Sequence, residues 1–465
     1  MGNFWAATRL ITMDPSAYVN IPETQSPQEA STHRVLIVGG GASGLELATR
    51  LGDTLGKRKK ASIALLDKAR THIWKPHLHE VAAGTLDTDV QTVEYLPHAH
   101  RHHYRYRVGA MCGLNRDKRQ VYVGSTFDED GLQVTPARVL GYDTLVIAVG
   151  SVGNDFGTPG AKEHAIAIDT HDQAARFNRR MLNACARANA QHEPLRPGQL
   201  HCAIVGAGAT GVELSAELHK TMRDIAAYGL DNIDFDKLIR LTIIEAGPRV
   251  LPALPDYLAR ATLMTMQGLG IGVRTGERVT AITSEGLQMA SGEFLPAELI
   301  VWAAGIKAPD FLADLDGLES DRLGRLVVRD TLQSTRDDNI FAIGDCAACA
   351  LPDGKGVAPP RAQTAHQMAS LLIRSVNHRL RGLPLPKFNY RDFGSLVNMS
   401  EYGTVGNLIN ALTGRSVKVQ GVFARTMYRS LYTMHQQAIH GTAKVGIDMV
   451  ANAIRGRMEP RIKLH

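Results

Sequence analysis

Cysteines and long apolar runs are both scarce in this chain. Its 465 residues include five cysteines, an odd number scattered along the sequence. This excludes the disulfide framework of a small secreted protein and favours a reducing compartment. No apolar run approaches the ~18 residues of a membrane-spanning helix, so we expect no segment that crosses a bilayer. The cysteines are Cys112, Cys185, Cys202, Cys346 and Cys349.

Acidic residues are scarce at the C-terminal end. From Arg415 onward, nine Lys or Arg accompany only Asp448 and Glu459, although the whole chain has a net charge of +6. A basic tail on a nearly neutral body indicates an anionic surface as partner. Because these charges alternate with bulky apolar residues at helical spacing, we expect a lipid surface and no nucleic acid.

The N-terminal segment lacks the apolar core of a secretory signal, since Arg9 and Asp14 interrupt it. We therefore predict a poorly ordered extension over residues 1–30. The length of the chain suggests about three domains.

A glycine-rich turn follows the first strongly apolar segment. Residues 34–38 lead into Gly39, Gly41 and Gly44, and a helical pattern begins at once. In a dinucleotide-binding fingerprint these glycines permit the tight turn, the approach to a pyrophosphate and the close packing of helix on strand. Asp67 ends the next predicted strand, where a carboxylate accepts hydrogen bonds from a ribose; the alternative is a solvated strand end.

A second fingerprint, with Gly206, Gly208 and Gly211, follows residues 201–205. Two such turns imply two dinucleotides in one polypeptide, and electron transfer is the usual reason to hold both. Glu245 ends the next strand, where a carboxylate accepts from a ribose 2′-OH and repels a 2′-phosphate. NADH is therefore favoured over NADPH, although Arg249 is close enough in sequence to reach a phosphate.

Two apolar strand patterns that end at Gly150 and Gly305 frame the second fingerprint. The second nucleotide-binding domain is thus predicted to be inserted into the first, with Gly150 beside FAD and Gly305 beside NADH. The predicted fold is α/β, with two Rossmann-like dinucleotide-binding domains and a C-terminal amphipathic helical membrane-binding region. The predicted boundaries are 31–158 and 306–395 for the split FAD domain, 159–305 for the NADH domain and 396–465 for the C-terminal region.

A third strand pattern ends at Gly344-Asp345, followed by small residues that predict a helix start. Asp345 can accept a hydrogen bond from the ribityl chain of a flavin, which would let one FAD span both parts of the split domain. Cys346 and Cys349 follow at once. They could act in redox chemistry, but we favour a packing role for such small residues.

Histidines alternate at His77 and His79, and again over residues 98–103. Without companion ligands in recognisable spacing we predict a polar or basic face and no metal site. Gln363 and Gln367 lie four residues apart, so a helix would present both on one face. They either bind a carbonyl-bearing substrate or are ordinary surface glutamines.

The last segment predicts an amphipathic helix. Cationic and aromatic residues flank its apolar stripe, a pattern typical of a helix in a membrane surface. The alternative is a helix docked on the core of the protein. The stripe is Phe423, Met427, Leu431, Met434 and Ala438, with Tyr428 and Tyr432 beside it and Arg425, Arg429 and Gln436 towards the other side.

These motifs, taken together, closely resemble the type II, non-proton-pumping NADH:quinone oxidoreductases, in particular the bacterial respiratory form. The resemblance covers about residues 34–465. It includes both fingerprints, residues 73–76 (IWKP), 301–309 (VWAAGIKAP), 343–347 (IGDCA) and 362–367 (AQTAHQ).

The resemblance implies FAD in the first domain, NADH in the second and a quinone that reaches the flavin from the membrane. It places Gln363 and Gln367 on the quinone-site motif and Glu213 near the nicotinamide and flavin, where we expect a catalytic role. Many relatives carry a basic residue where this chain has Phe393, so no quinone-contacting cation is assigned there. The implied location is peripheral, on the cytoplasmic face of the bacterial inner membrane, and a homodimer is compatible with the sequence.

Three rival functions share this architecture. A disulfide reductase would need a cysteine pair soon after the first fingerprint, and a sulfide:quinone reductase would need cysteines that flank the flavin. The positions of the five cysteines suit neither. A non-catalytic NADH-sensing flavoprotein would bind both cofactors without turnover.

Overall fold

The computed structural model describes residues 32–458, except 129, 229–233, 235–237, 355 and 410–415, together with Tyr18, Ile21, Glu23 and Thr24. Within this part of the chain, no helix combines the length and apolar character needed to cross a membrane.

The first sheet is parallel and has five strands in the order β23-β11-β1-β2-β5. Its last strand in sequence, β23, comes from far beyond the other four, as expected for a domain interrupted by an insertion. Helices α1 (Ala42–Leu51) and α9 (Ala362–Leu380) pack together beside it. The strands are β1 (His33–Val38), β2 (Ala61–Asp67), β5 (Arg105–Val108), β11 (Thr144–Ile147) and β23 (Ile340–Ala342).

The second sheet is also parallel, in the order β13-β20-β14-β15-β16. Both sheets reverse their strand order next to the strand that leads into a glycine turn, so both have the crevice in which doubly wound folds bind ligands. The strands are β13 (Ile166–Ala167), β14 (His201–Val205), β15 (Arg240–Glu245), β16 (Gly272–Thr275) and β20 (Leu299–Trp302). The long helices are α6 (His171–Ala190), α7 (Ala209–Ala227) and α8 (Asp256–Gly268).

A two-stranded antiparallel ribbon joins the sheets where the chain leaves the first and returns to it. It pairs β12 (Val152–Gly153) with β21 (Ile306–Lys307). The points at which the chain leaves and re-enters the first domain are therefore neighbours. This arrangement permits a domain to be inserted.

The remaining short elements cover the two sheets. The additional strands are β3 (Thr71–His72), β4 (Val93–Glu94), β6 (Met111–Asn115), β7 (Gln120–Val123), β8 (Thr126–Phe127), β9 (Gln133–Thr135), β10 (Arg138–Gly141), β17 (Val279–Ile282), β18 (Gly286–Met289), β19 (Phe294–Pro296), β22 (Leu326–Val328) and β24 (Ala347–Cys349). The short helices are α2 (Leu78–Ala83), α3 (Thr88–Gln91), α4 (Tyr95–Arg101) and α5 (Ala161–His164), and Gly52–Gly56 forms a π-helical turn.

The C-terminal region differs from the helical prediction. It begins with a three-stranded antiparallel sheet of β25 (Gly394–Asn398), β26 (Thr404–Ile409) and β27 (Ser416–Gln420). Helices α10 (Gly421–His440) and α11 (Thr442–Met458) follow. The predicted boundary between residues 395 and 396 was wrong, because it cuts through β25.

Part of the N-terminal extension is packed against the body. Tyr18 is buried, and its ring stacks on Tyr122 with 4.8 Å between centroids. The Thr24 N–H donates to the Val139 carbonyl over 2.9 Å. The predicted disorder of residues 1–30 therefore does not hold for these described residues; most of that segment lies outside them.

Candidate active site

The first glycine turn has the geometry of a diphosphate cradle. Gly39 has φ +102°, and a Cβ on Gly44 would overlap the Gly39 carbonyl oxygen, so both positions require glycine. A Cβ on Gly41 would meet only the Ala148 carbonyl oxygen, at 4.0 Å. No side chain caps the start of α1. Open space in front of free N–H groups at a helix start fits an anionic diphosphate.

Asp67 connects the end of β2 to this turn. One carboxylate oxygen accepts the Gly40 N–H at 2.5 Å and the other accepts the Ala69 N–H at 2.7 Å. Burial raises the pKa of this carboxyl, and the two N–H donors oppose that shift.

The second glycine turn repeats the first. Gly206 has φ +107°, a Cβ on Gly211 would overlap the Gly206 carbonyl oxygen, and a Cβ on Gly208 would meet no atom within 4 Å. The start of α7 also has no side-chain cap. This turn is therefore equally open to a dinucleotide diphosphate.

Glu245 holds the second turn as Asp67 holds the first. Its oxygens accept the N–H groups of Ala207 and Gly247, each at 2.8 Å. Arg249 instead donates to the carbonyl oxygens of Pro252 and Leu254. Its guanidinium is thus bound within its own loop.

Asp345 lies where the two parts of the first domain meet. The Ser151 hydroxyl donates to the Asp345 carboxylate over 2.8 Å, and Lys75 Nζ donates to the Ser151 carbonyl over 2.9 Å. Gly150, just before Ser151, has φ +70°. The predicted helix start was wrong: Gly344–Cys346 is one 3₁₀ turn, and strand β24 follows because it pairs with β22.

Gly305, at the carboxyl end of β20, is covered by an aromatic side chain. A Cβ on Gly305 would lie inside the van der Waals radius of the Phe156 ring. Phe156 is largely exposed. The backbone at Gly305 therefore lies in the crevice of the second sheet with little room for a side chain.

Glu213 is buried on α7 and contacts the C-terminal region. Its Oε1 accepts the Asn398 N–H at 2.9 Å, and His79 Nδ1 lies 3.9 Å from its other oxygen. Burial raises the pKa of the Glu213 carboxyl above its ordinary value of 4.5. Burial, together with the nearby Glu213 charge, also raises the pKa of the Tyr428 hydroxyl on α10.

Gln363 and Gln367 lie on one face of α9, as predicted, and hold the chain before β25. Gln363 Nε2 donates to the Asp392 carboxylate over 3.2 Å and to the Gly394 carbonyl over 3.1 Å. Gln367 donates to the Arg391 carbonyl and accepts the Arg391 N–H. Both side chains therefore have defined hydrogen-bond partners, unlike ordinary surface glutamines.

Strand β25 connects the two candidate sites. Gly394, at its start, accepts from Gln363, and Asn398, at its end, donates to Glu213. Sequence reasoning missed Asn398, and no local signal marks it, because its partner lies 185 residues away.

The cysteines have the properties of packing residues. All five are free, and Cys346 and Cys349 are both buried. Burial raises the pKa of each of these two thiols to about 11. Low thiolate content makes them poor redox nucleophiles. Among the described residues, no group of three or more His, Cys, Asp or Glu could hold a metal ion.

Helix α10 docks on the body through histidines and aromatic rings. His435 Nε2 lies 3.0 Å from His72 Nε2, and the His435 ring stacks on Trp74 with 5.5 Å between centroids. Leu431 and Met434, from the predicted stripe, remain exposed. Helix α10 thus has a docked face and an exposed face on which Leu431 and Met434 lie among the polar Ser430 and Gln437. The side chains of Phe423, Arg425 and Arg429 lie outside the described residues.

Comparison with known proteins identifies relatives along most of the chain. The sequence profile of the pyridine nucleotide-disulphide oxidoreductase family matches residues 33–369. A type II NADH:quinone oxidoreductase of Haemophilus influenzae is 40% identical over 443 residues, 93% of this chain and 99% of that relative.

Two solved structures show the same fold. NDH2 from Plasmodium falciparum in complex with NADH has a TM-score of 0.78 at 20% identity, covering 93% of this chain and 100% of that one. The sulfide:quinone oxidoreductase from Aquifex aeolicus has a TM-score of 0.68 at 16% identity, covering 92% of this chain and 96% of that one.

Proposed function

The chain belongs to the type II NADH:quinone oxidoreductases, within the pyridine nucleotide-disulphide oxidoreductase family, and we propose which of its residues serve each substrate. The enzyme is flavin-dependent and transfers electrons from NADH to a quinone. When bound, FAD accepts a hydride from NADH and passes two electrons on to the quinone. The protein therefore has to bind, orient and separate its substrates.

The FAD site comprises the first glycine turn and the residues that face it. Gly39, Gly41 and Gly44 would hold the diphosphate at the start of α1, and Asp67 the ribose. The open space at Gly41 supports this assignment. Gly150, Gly344 and Asp345 would lie along the rest of the cofactor, at the junction that Ser151 links to Asp345.

The NADH site uses the second turn in the same way. Gly206, Gly208 and Gly211 would hold the diphosphate, and Glu245 the ribose 2′-OH. Gly305 would lie beside the rest of the dinucleotide at the end of β20, where the exposed Phe156 ring covers it. The engagement of Arg249 within its own loop supports NADH over NADPH, because this guanidinium is not free for a 2′-phosphate.

The quinone side is bounded by α9, β25 and α10. Gln363 and Gln367 would serve the quinone while they position the start of β25. Glu213 would act at the other end of that strand, near the nicotinamide and flavin, where its buried carboxyl can hold or release a proton. The Glu213 to Asn398 hydrogen bond supports a site shared by α7 and the C-terminal region.

The two open glycine turns are the main support for this proposal, and one assay tests it. The purified protein should be yellow and should lose its flavin absorbance when NADH is added without oxygen. It should then consume NADH continuously with a soluble ubiquinone or menaquinone analogue. A single stoichiometric bleaching without turnover would contradict the proposal and favour an NADH sensor.

The C-terminal helices would hold the enzyme on the cytoplasmic face of a bacterial inner membrane. The exposed side chains of Leu431 and Met434 on α10, and Ile447, Met449 and Val450 on α11, support this surface. Free cysteines fit the reducing cytoplasm. Ile447→Glu with Val450→Glu should reduce sedimentation with phosphatidylglycerol vesicles while the flavin stays bound. Unchanged sedimentation would refute this surface.

A further inference from the structure

Two short helices from the first half of the chain expose apolar side chains beside the C-terminal helices. Val90 on α3 is 43% exposed and Leu96 on α4 is 68% exposed. Ile447 and Val450 on α11 are similarly exposed. Contiguous exposed apolar patches mark interaction surfaces, whereas single exposed apolar side chains are ordinary.

Direct contacts join α3 and α4 to α10. The Tyr432 hydroxyl donates to the Gln91 side chain on α3. On α4, His98 Nε2 lies 3.2 Å from the Ile439 carbonyl oxygen. The His98 ring also lies 5.7 Å from that of His440. The exposed side chains of α3 and α4 are therefore next to the C-terminal helices.

A turn of four consecutive cations lies against the end of α4. Residues 57–60 (Lys-Arg-Lys-Lys) are all exposed and take part in no ion pair among the described residues. The π-helical turn that precedes them contacts the residues after α4: Asp53 accepts from His102 over 3.0 Å. Arg101, also exposed, ends α4 itself. Five exposed cations thus lie at the end of α4, whereas the exposed carboxylates of Asp89 and Glu94 lie nearer Val90 and Leu96 in the chain, so the charge of the group as a whole is positive.

We propose that Val90, Leu96, Arg101 and residues 57–60 form a second lipid-contact surface, here called the flank surface, which binds the anionic headgroups of a bilayer. This proposal rests on the membrane association proposed above for α10 and α11. It deepens that association, because it adds a contact from the nucleotide-binding part of the chain. Contacts from two parts of the chain would fix the orientation of the enzyme on the membrane.

Charge complementarity selects a lipid surface as the occupant. Apolar side chains enter the boundary between headgroups and acyl chains, while Lys and Arg stay at headgroup level. Each cation near an anionic surface strengthens binding by roughly fivefold, and salt screens the effect. A nucleic acid would use the cations but would gain nothing from Val90 and Leu96.

Charge reversal tests the cationic part of the flank surface. The holoenzyme with Arg58→Glu and Lys59→Glu should bind phosphatidylglycerol vesicles at least roughly tenfold more weakly. It should oxidise NADH with a soluble short-chain quinone at the normal rate. Arg278→Glu with Arg322→Glu is the matched control, since these exposed cations lie beside strands of other sheets. Equal loss of binding in both pairs, or in neither, would overturn the proposal.

A fluorescent label tests the apolar part and separates it from the C-terminal helices. Leu96→Cys carrying a polarity-sensitive dye should shift to the blue with anionic vesicles, whereas Met264→Cys, equally exposed on α8, should not. Labelled wild-type chain corrects for the half-buried Cys112. Sedimentation without a shift at Leu96→Cys would overturn the flank surface alone. Failure of the wild-type chain to sediment would overturn membrane association as a whole.

Discussion

The carboxylate of Glu213 accepts a hydrogen bond from the backbone N–H of Asn398, with 2.9 Å between Oε1 and N. One residue lies on a helix of the inserted nucleotide-binding domain and the other at the end of β25 in the C-terminal region. The second domain and the C-terminal region are therefore joined by the residue to which we assign a catalytic role.

Glu213→Gln should change how stability depends on pH. Burial raises the pKa of this carboxyl above 4.5, so the native state binds its proton more tightly than the unfolded chain. Its contribution to stability is therefore lost as pH rises above 4.5. Measured by urea unfolding from pH 5 to 8, the free energy of unfolding should fall less with rising pH in the variant than in the wild type. The variant keeps an acceptor for the Asn398 N–H. Flavin reoxidation by quinone should slow. Identical slopes would contradict a raised pKa.

Glu245→Gln should narrow the preference for NADH. Loss of one negative charge removes repulsion of a 2′-phosphate worth ~1 kcal/mol, or roughly fivefold in the ratio of kcat/KM values. Glu277→Gln is the control, because the Glu277 carboxylate accepts from Ser291 on the neighbouring loop. If both variants keep the wild-type ratio, Glu245 does not select the cofactor.

Gln363→Ala should slow quinone reduction more than flavin reduction. It removes two donors and one acceptor that hold residues 392–394, at a cost of about 1–3 kcal/mol in stability. Rapid mixing measures the two half-reactions separately. Gln288→Ala, which removes a similar amide contact from β18 to the carbonyl of Glu293 just before β19, should affect neither. Equal slowing of both half-reactions in Gln363→Ala would indicate a structural role only.

Acid should loosen α10 from the body. Burial lowers the pKa of His72 to about 4 and that of His98 to about 3, so these docked rings take up protons less readily than free histidine. The contribution of these two neutral rings to stability is complete above about pH 6.5 and is lost as pH falls towards 4. Trp74, which stacks on His435, reports the change by its emission. His435→Phe should keep the stack and reduce the pH dependence. Constant wild-type emission from pH 7 to 4 would refute this.

Local patterns predicted the nucleotide-binding parts of the fold well. The two glycine turns follow buried strands directly, so sequence spacing alone identifies them. Asp67 and Glu245 end the strands that follow the two turns, as their spacing predicts. The i and i+4 spacing also predicted that Gln363 and Gln367 share a helix face.

Features that depend on distant partners could not be read from the sequence. Strand β24 exists because it pairs with β22, whereas the small residues after Asp345 on their own predict a helix start. Strands β25, β26 and β27 stabilise one another by pairing, and the charge pattern of this region does not indicate them. The docked face of α10 depends on His72 and Trp74, more than three hundred positions earlier.

Cofactor binding in two single-alanine variants tests the central claim, that separate glycine turns hold two dinucleotides. A Cβ at Gly41 or Gly208 would have no neighbouring atom nearer than 4.0 Å, so Gly41→Ala and Gly208→Ala should both fold. Each Cβ would instead occupy the space of one diphosphate. Gly208→Ala should retain FAD and bind NADH at least about tenfold more weakly, whereas Gly41→Ala should lose FAD. Wild-type NADH affinity in Gly208→Ala, or full FAD content in Gly41→Ala, would contradict the account.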